Sequence, residues 1–191
     1  MINAIFFLSG VAALLFENIW FRQAGLIFGN SVWASSLVLS SFMAGLALGN
    51  GLVAFRPQKH GDALRRYAFL ELIVGITGFG LVLLLPRIGE SLFPLLATLV
   101  DNPVALGAVR FVLAFSMMVI PTAAMGMTLP ILVDRAPSRE LFGVTLSRLY
   151  GWNTLGAVFG CIAGEALLYG KLGVLGTGVV AGLLNFTAAL L

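Results

Sequence analysis

The chain has 191 residues, 60% of them hydrophobic and 10% charged, with a mean hydropathy of +1.04. A water-soluble domain carries about 25% charged residues, so this composition excludes one, and apolar runs of about 18 residues or more recur, each long enough to cross the hydrocarbon core as a helix. The net charge of +3 does not signal nucleic acid, because most Lys and Arg residues lie between the apolar runs, and the alternating ten-residue segments of a β-barrel are not visible.

The fold expected is an all-α membrane protein, a single domain over 1–191 built as a bundle of about six transmembrane helices. In chain order the spans are 2–21, 32–55, 66–85, 108–133, 146–169 and 172–191. The first begins apolar at once, without a basic leader or a clean cleavage site, and reads as a helix kept in the mature protein. The third is expected to stop at Pro86. The stretch 87–107, broken by Pro94 and Pro103, reads as an interfacial or re-entrant helix. The fourth contains Pro121 and Pro130, each of which removes a backbone donor, with Thr122 and Thr128 placed to satisfy freed carbonyls.

Basic residues in short loops set the orientation. Arg56, Lys59, Arg65, Arg66, Arg135, Arg139 and Arg148 fall on one side, against Arg22, Arg87, Arg110 and Lys171 on the other. The first side is expected to be cytoplasmic, with both chain ends.

The most informative stretch is SRLYGWNTLGAVFGCIAGEALLYG, 147–170. Gly156, Gly160 and Gly164 recur every four residues, with Asn153 one turn earlier, a ladder that lets two membrane helices approach closely. Ser41, Gly45 and Gly49 do the same in the second span, and Gly178 and Gly182 in the sixth. Asn153 and Asn185 are amides able to hydrogen-bond between helices.

Carboxylates inside apolar helices are costly and are candidate sites for that reason. Glu17 shares a helix face with Gly10, Ala13 and Phe21, so it points to other helices. Glu165 follows the glycine ladder. Glu71 opens the third span close to Arg65 and Arg66, where an interface carboxylate paired with them or reaching water is the plainer reading. Glu17, Glu165, Arg110, Asn153 and Glu71 together are the candidate intramembrane polar site. Either they form ion pairs that tie helices together, or they line a pocket for a cationic or protonatable solute.

Several chemistries find no support. His60 is the one histidine, in a charged loop, so no zinc site and no Ser–His intramembrane protease is expected. Cys161 is the one cysteine, and no intrachain disulfide is possible. No phosphate-binding glycine loop follows a strand. No cofactor, metal or catalytic residue is expected.

Four stretches carry a family likeness. They are FLSGVAALLFENIWFRQ at 7–23, SFMAGLALGNGLVA at 41–54, IPTAAMGMTLPILV at 120–133 and SRLYGWNTLGAVFGCIAGEALL at 147–168. Taken in order, the chain resembles the N-terminal membrane domain of the spermidine synthase-like membrane proteins, the fused major facilitator/spermidine synthase family. The likeness implies one half of a major facilitator fold in a bacterial inner membrane. It also implies a cytoplasmic aminopropyltransferase-like domain, fused or separate, as partner beside the lipid bilayer. That domain would carry the transferase chemistry and its donor site, and the chain ends about where it would begin. This chain alone is then no enzyme. The loop GLVAFRPQKHGDALRR resembles the basic loop of major facilitators, with Phe55 where they carry Asp.

Three functions follow. The domain anchors a synthase domain and binds or passes a polyamine or related amine, or it is a half-size transporter working as a homodimer, or it is a membrane scaffold without transport.

Overall fold

A backbone inside hydrocarbon must satisfy its own N–H and C=O groups, and a continuous helix does so within one segment. The computed structural model describes residues 2–55, 63–133 and 139–191 and contains helices and turns but no strand among them. Its helices are α1 (Ile2–Phe28), α2 (Val32–Ala54), α3 (Ala63–Ala97), α4 (Pro103–Val133), α5 (Arg139–Ala163) and α6 (Tyr169–Leu190), with a π-helical turn at Gly164–Leu168 joining the last two. Among the described residues five helical stretches are long and apolar enough to cross a membrane, the last being Leu141–Leu190, which bends at Gly173. They fit an integral multi-pass membrane protein.

The second span lies within one residue of its expected limits. The other differences have physical causes. α1 runs through Arg22 to Phe28, because Arg22 finds an acidic partner on the helix beside it. α3 does not stop at Pro86 but continues through Pro94 to Ala97. A helical residue donates its N–H to the carbonyl four residues earlier, so Pro86 leaves the Val82 carbonyl without a partner. Gln23 of α1 supplies one, its Nε2 donating to Val82 O at 2.8 Å. Stretch 87–107 is therefore mostly the end of α3 and the start of α4. Pro103 begins α4 rather than breaking a helix, at the first turn where its missing donor costs nothing, and Asn102 Oδ1 accepts from Ala105 N at 3.1 Å.

In α4 the carbonyls freed by Pro121 and Pro130 belong to Met117 and Gly126. The threonines do not bond these. Thr122 Oγ1 donates to Met118 O and Thr128 Oγ1 to Met125 O, each at 2.7 Å.

Contacts give the helix directions. Ser9, Trp20 and Gln23 of α1 bond Glu71, Gly78 and Val82 of α3 in the same order, so the two helices run parallel. α5 also runs with α1, laying Gly156 on Phe7 and Gly160 on Val11. α6 runs against α3, with Gly178 beside Val82 and Gly182 facing Gly75. The two arms of the last helix thus point in opposite directions. Gly173, at φ 65° and ψ −172°, is where the chain turns, in a region open essentially only to glycine. α2 and α4 pair with each other, and Gly45 and Gly49 abut Thr122 and Ala123.

Leu15, Phe16, Ile19, Trp20 and Leu85 fill the centre. Trp20 stacks on Phe16 with ring centroids 5.4 Å apart, and its Nε1 donates to Gly78 O at 3.2 Å. A smaller cluster joins Ile5, Phe6, Tyr67, Leu132, Val133, Leu149 and Ala188. It gathers the starts of α1 and α3, the middle of α5 and the ends of α4 and α6, close to Arg65, Arg66 and Arg148 by sequence.

Candidate functional site

The parallel course of α1 and α3 sets Ser9 against Glu71. Ser9 Oγ donates to Glu71 Oε1 at 2.6 Å, and Glu71 is 1% exposed. The carboxyl group is therefore turned into the bundle and held by a hydroxyl, not extended to water. Because α3 begins at Ala63, Glu71 lies two turns inside the helix. Tyr67 sits one turn earlier on the same face, beside the carboxyl group. Its ring stacks on Phe6 with centroids 5.6 Å apart. Asn185 of α6 is buried close to Gly75, one turn beyond Glu71.

This buried cluster is incompletely satisfied. Glu71 Oε2 and the Tyr67 hydroxyl are buried beside each other without a well-formed hydrogen bond, and Asn185 Nδ2 is buried without a partner. Most buried polar groups are paired, and those that are not call for an explanation. A cavity of about 430 Å³ lies between α3 and α6, with Glu71 in its wall. Ile76, Phe79, Val179, Leu183 and Phe186 line the rest, and Gly75 and Gly182 leave room where side chains would otherwise stand. Small-molecule sites have this form, an apolar cleft of about 300–1,000 Å³ with a few placed polar groups.

The five expected polar residues have different neighbours. Glu165, in the π-helical turn after α5, pairs with Arg22 of α1, whose single Nη2 donates to both carboxylate oxygens, reaching Oε2 at 2.6 Å. The guanidinium also lies 4.7 Å over the Tyr169 ring. Both side chains are about half exposed, 50% and 57%, so this is a helix tie open to its surroundings. Asn153 Nδ2 donates to Phe6 O at 3.3 Å, another tie between α5 and α1. Glu17 is half-buried and borders a void of only about 10 Å³ with Trp20, Phe42 and Met118. That is room for no more than one water. Arg110 lies near Gly29, and its Nε is buried without a partner. Glu71 borders a cavity large enough for a ligand, and Glu17 does not border that cavity.

The glycine ladder lies on α1. A Cβ at Gly156 would overlap the Phe7 carbonyl, one at Gly160 would stand 2.5 Å from Val11 O, and one at Gly164 would meet the Leu15 side chain at 3.0 Å. Gly10 answers from α1 by lying on the Asn153 backbone. Arg56, Lys59, His60, Arg135 and the Arg139 side chain lie outside the described residues. Arg65 and Arg66 line a second cavity with Phe69, Leu70 and Ile131.

Ser9, Tyr67 and Gln23 are the residues that sequence reasoning missed. Tyr67 carried a signal, since it stands four residues before Glu71 and shares its face. Ser9 carried none, being one small hydroxyl in an apolar helix. Gln23 is an amide in an apolar run, and its partner is fixed only by tertiary packing.

Among the described residues no group of three or more His, Cys, Asp and Glu side chains could hold a metal ion. Compared with known proteins, the chain matches no family model, no curated protein and no solved structure.

Proposed function

We propose that the chain is the membrane domain of a spermidine synthase-like protein, a bundle that crosses a bacterial inner membrane six times with both ends cytoplasmic, and that it holds an amine at Glu71. The observation that carries the amine reading is a buried carboxyl residue, Glu71, in the wall of an otherwise apolar cavity. A lone carboxyl group inside a bundle is satisfied by a proton or by a cation, and intramembrane acids mark paths for both.

Six crossings are supported by the opposed arms of the last helix about Gly173 and by the alternation of helix directions along the chain. The orientation is supported by Arg65, Arg66 and Arg148, which fall by sequence close to the cluster that also holds Ile5 and Ala188. Six such helices are the content of one half of a major facilitator, and a full path through that fold takes two halves. The anchoring role rests on the family resemblance. It predicts that an immunoblot of source membranes finds the native chain well above 20.2 kDa, or finds it at that mass and co-purifying with aminopropyltransferase activity. A lone 20.2 kDa species without that activity removes the anchoring role.

The amine reading is tested on the purified chain in lipid nanodiscs, with putrescine, spermidine and a simple alkylamine as probes. At least one should bind saturably, with affinity falling about tenfold or more in Glu71→Gln through loss of a charge-assisted contact. Glu17→Gln and Glu165→Gln should bind as the wild type does, since neither borders the cavity. If none of the amines binds, the scaffold reading takes its place.

A further inference from the structure

The α3–α6 cavity has one charged lining residue among those described, Glu71, and its other lining side chains are apolar. Ile76, Leu183 and Phe186 are 72%, 60% and 51% exposed. They lie along the middle of α3 and α6, so the cavity opens through the side of the bundle, toward where lipid chains would be, rather than through an end. Ser9 donates to Oε1 of Glu71, while Oε2 is buried beside the Tyr67 hydroxyl without a well-formed hydrogen bond. An ammonium group has three donors and no acceptor, and a carboxylate is the acceptor and counter-charge that suits it.

The apolar remainder restricts what else the ligand carries. A second ammonium placed along Ile76, Phe79 and Val179 would be desolvated with no counter-charge, which is strongly unfavourable. An alkyl tail placed there meets its own kind. We propose that the α3–α6 cavity binds a membrane-dissolved amine with one ammonium head and an apolar tail, the head on Glu71 and the tail along Ile76, Phe79, Val179 and Leu183. The inference rests on the reading of Glu71 as an amine site and narrows its ligand to a singly charged amphiphile entering from the bilayer.

The test uses the full chain in nanodiscs and a photoreactive alkylamine carrying a diazirine in its tail. Labelled peptides should come from α3 near Ile76 and from α6 near Leu183. n-Octylamine should displace the probe, n-octanol should not, and spermidine should compete at least about tenfold less well, a difference set by the unpaired charges. Glu71→Gln should lose the labelling. Gly182→Leu should reduce it by filling the cavity, because a Cβ at Gly182 meets nothing closer than Gly75 O at 3.9 Å. This second variant leaves Glu71 in place and serves if Glu71→Gln does not fold.

Spermidine competing as well as n-octylamine, with dependence on Glu71, would overturn the narrowing and leave the amine site standing. Loss of Glu71 dependence for every amine would overturn both. Equal competition by n-octanol would make the cavity a lipid groove and also overturn the proposal.

Discussion

Gly156→Leu should destabilise the bundle by about 3 kcal/mol or more, at the upper end of overpacking costs. The reason is what the new side chain meets. The position faces the Phe7 carbonyl and Cα of α1, and backbone cannot turn aside as the end of a flexible side chain can. The two helices would have to separate along the whole seam, losing the packing that Gly160, Gly164 and Gly10 share with it. Membrane helices associate through such packing, since lipid is as apolar as the helix surface and removal from water gives no help between them. Gly151 offers a matched control. It lies on the same helix, and a Cβ there meets nothing within 4 Å. Gly151→Leu should change stability by less than about 0.5 kcal/mol, as surface substitutions do. Unfolding in mixed micelles by SDS titration compares the two. Equal midpoints for Gly156→Leu and the wild type would show that α1 and α5 do not pack this closely.

Gln23→Leu should cost about 1–3 kcal/mol, the penalty for a buried acceptor left without its donor. The Val82 carbonyl has no helical donor because residue 86 is proline, and Gln23 Nε2 takes that place. The sharper result is the coupling. In a Pro86→Ala background the restored N–H can bond Val82 O, and Gln23→Leu should then cost little. A double-mutant cycle at these two positions should show an interaction energy of about 1–2 kcal/mol, within the range for residues sharing a partner. Additive effects would sink the account of why α3 continues past Pro86.

That pair also explains which parts of the fold the sequence revealed. The apolar runs and their length disclosed a helical membrane protein because the bilayer accepts little else. The limits of α2 were legible because Ser31 and the polar loop after it interrupt the run on both sides. α3 was misread at its proline because the compensating donor stands 59 residues away, and no local pattern encodes it. The glycine ladder identified a close-packing face, but not that α1 would be its partner. Glu71 was singled out by its charge, yet nearby arginines suggested an outward course. Its burial depends on Ser9, 62 residues distant, and its cavity depends on the opposed run of α6. Residue type was readable, and mutual placement was not.

α1 packs closely on α3, α5 and α6 and only sparsely on α2 and α4, and its polar partners arrive late in synthesis. Ser9 and Gln23 wait for α3, while Arg22 and the Phe6 carbonyl wait for Glu165 and Asn153, 143 and 147 residues away. During insertion by a translocon, α1 therefore enters the bilayer well before the helices that complete its contacts. Nascent α1 must be sheltered, by the insertion machinery or by water at its ends, until nearly the whole chain has been made. Slowed elongation after α4 would leave a half-built bundle with its glycine seam open, the form that quality-control proteases of the membrane would meet.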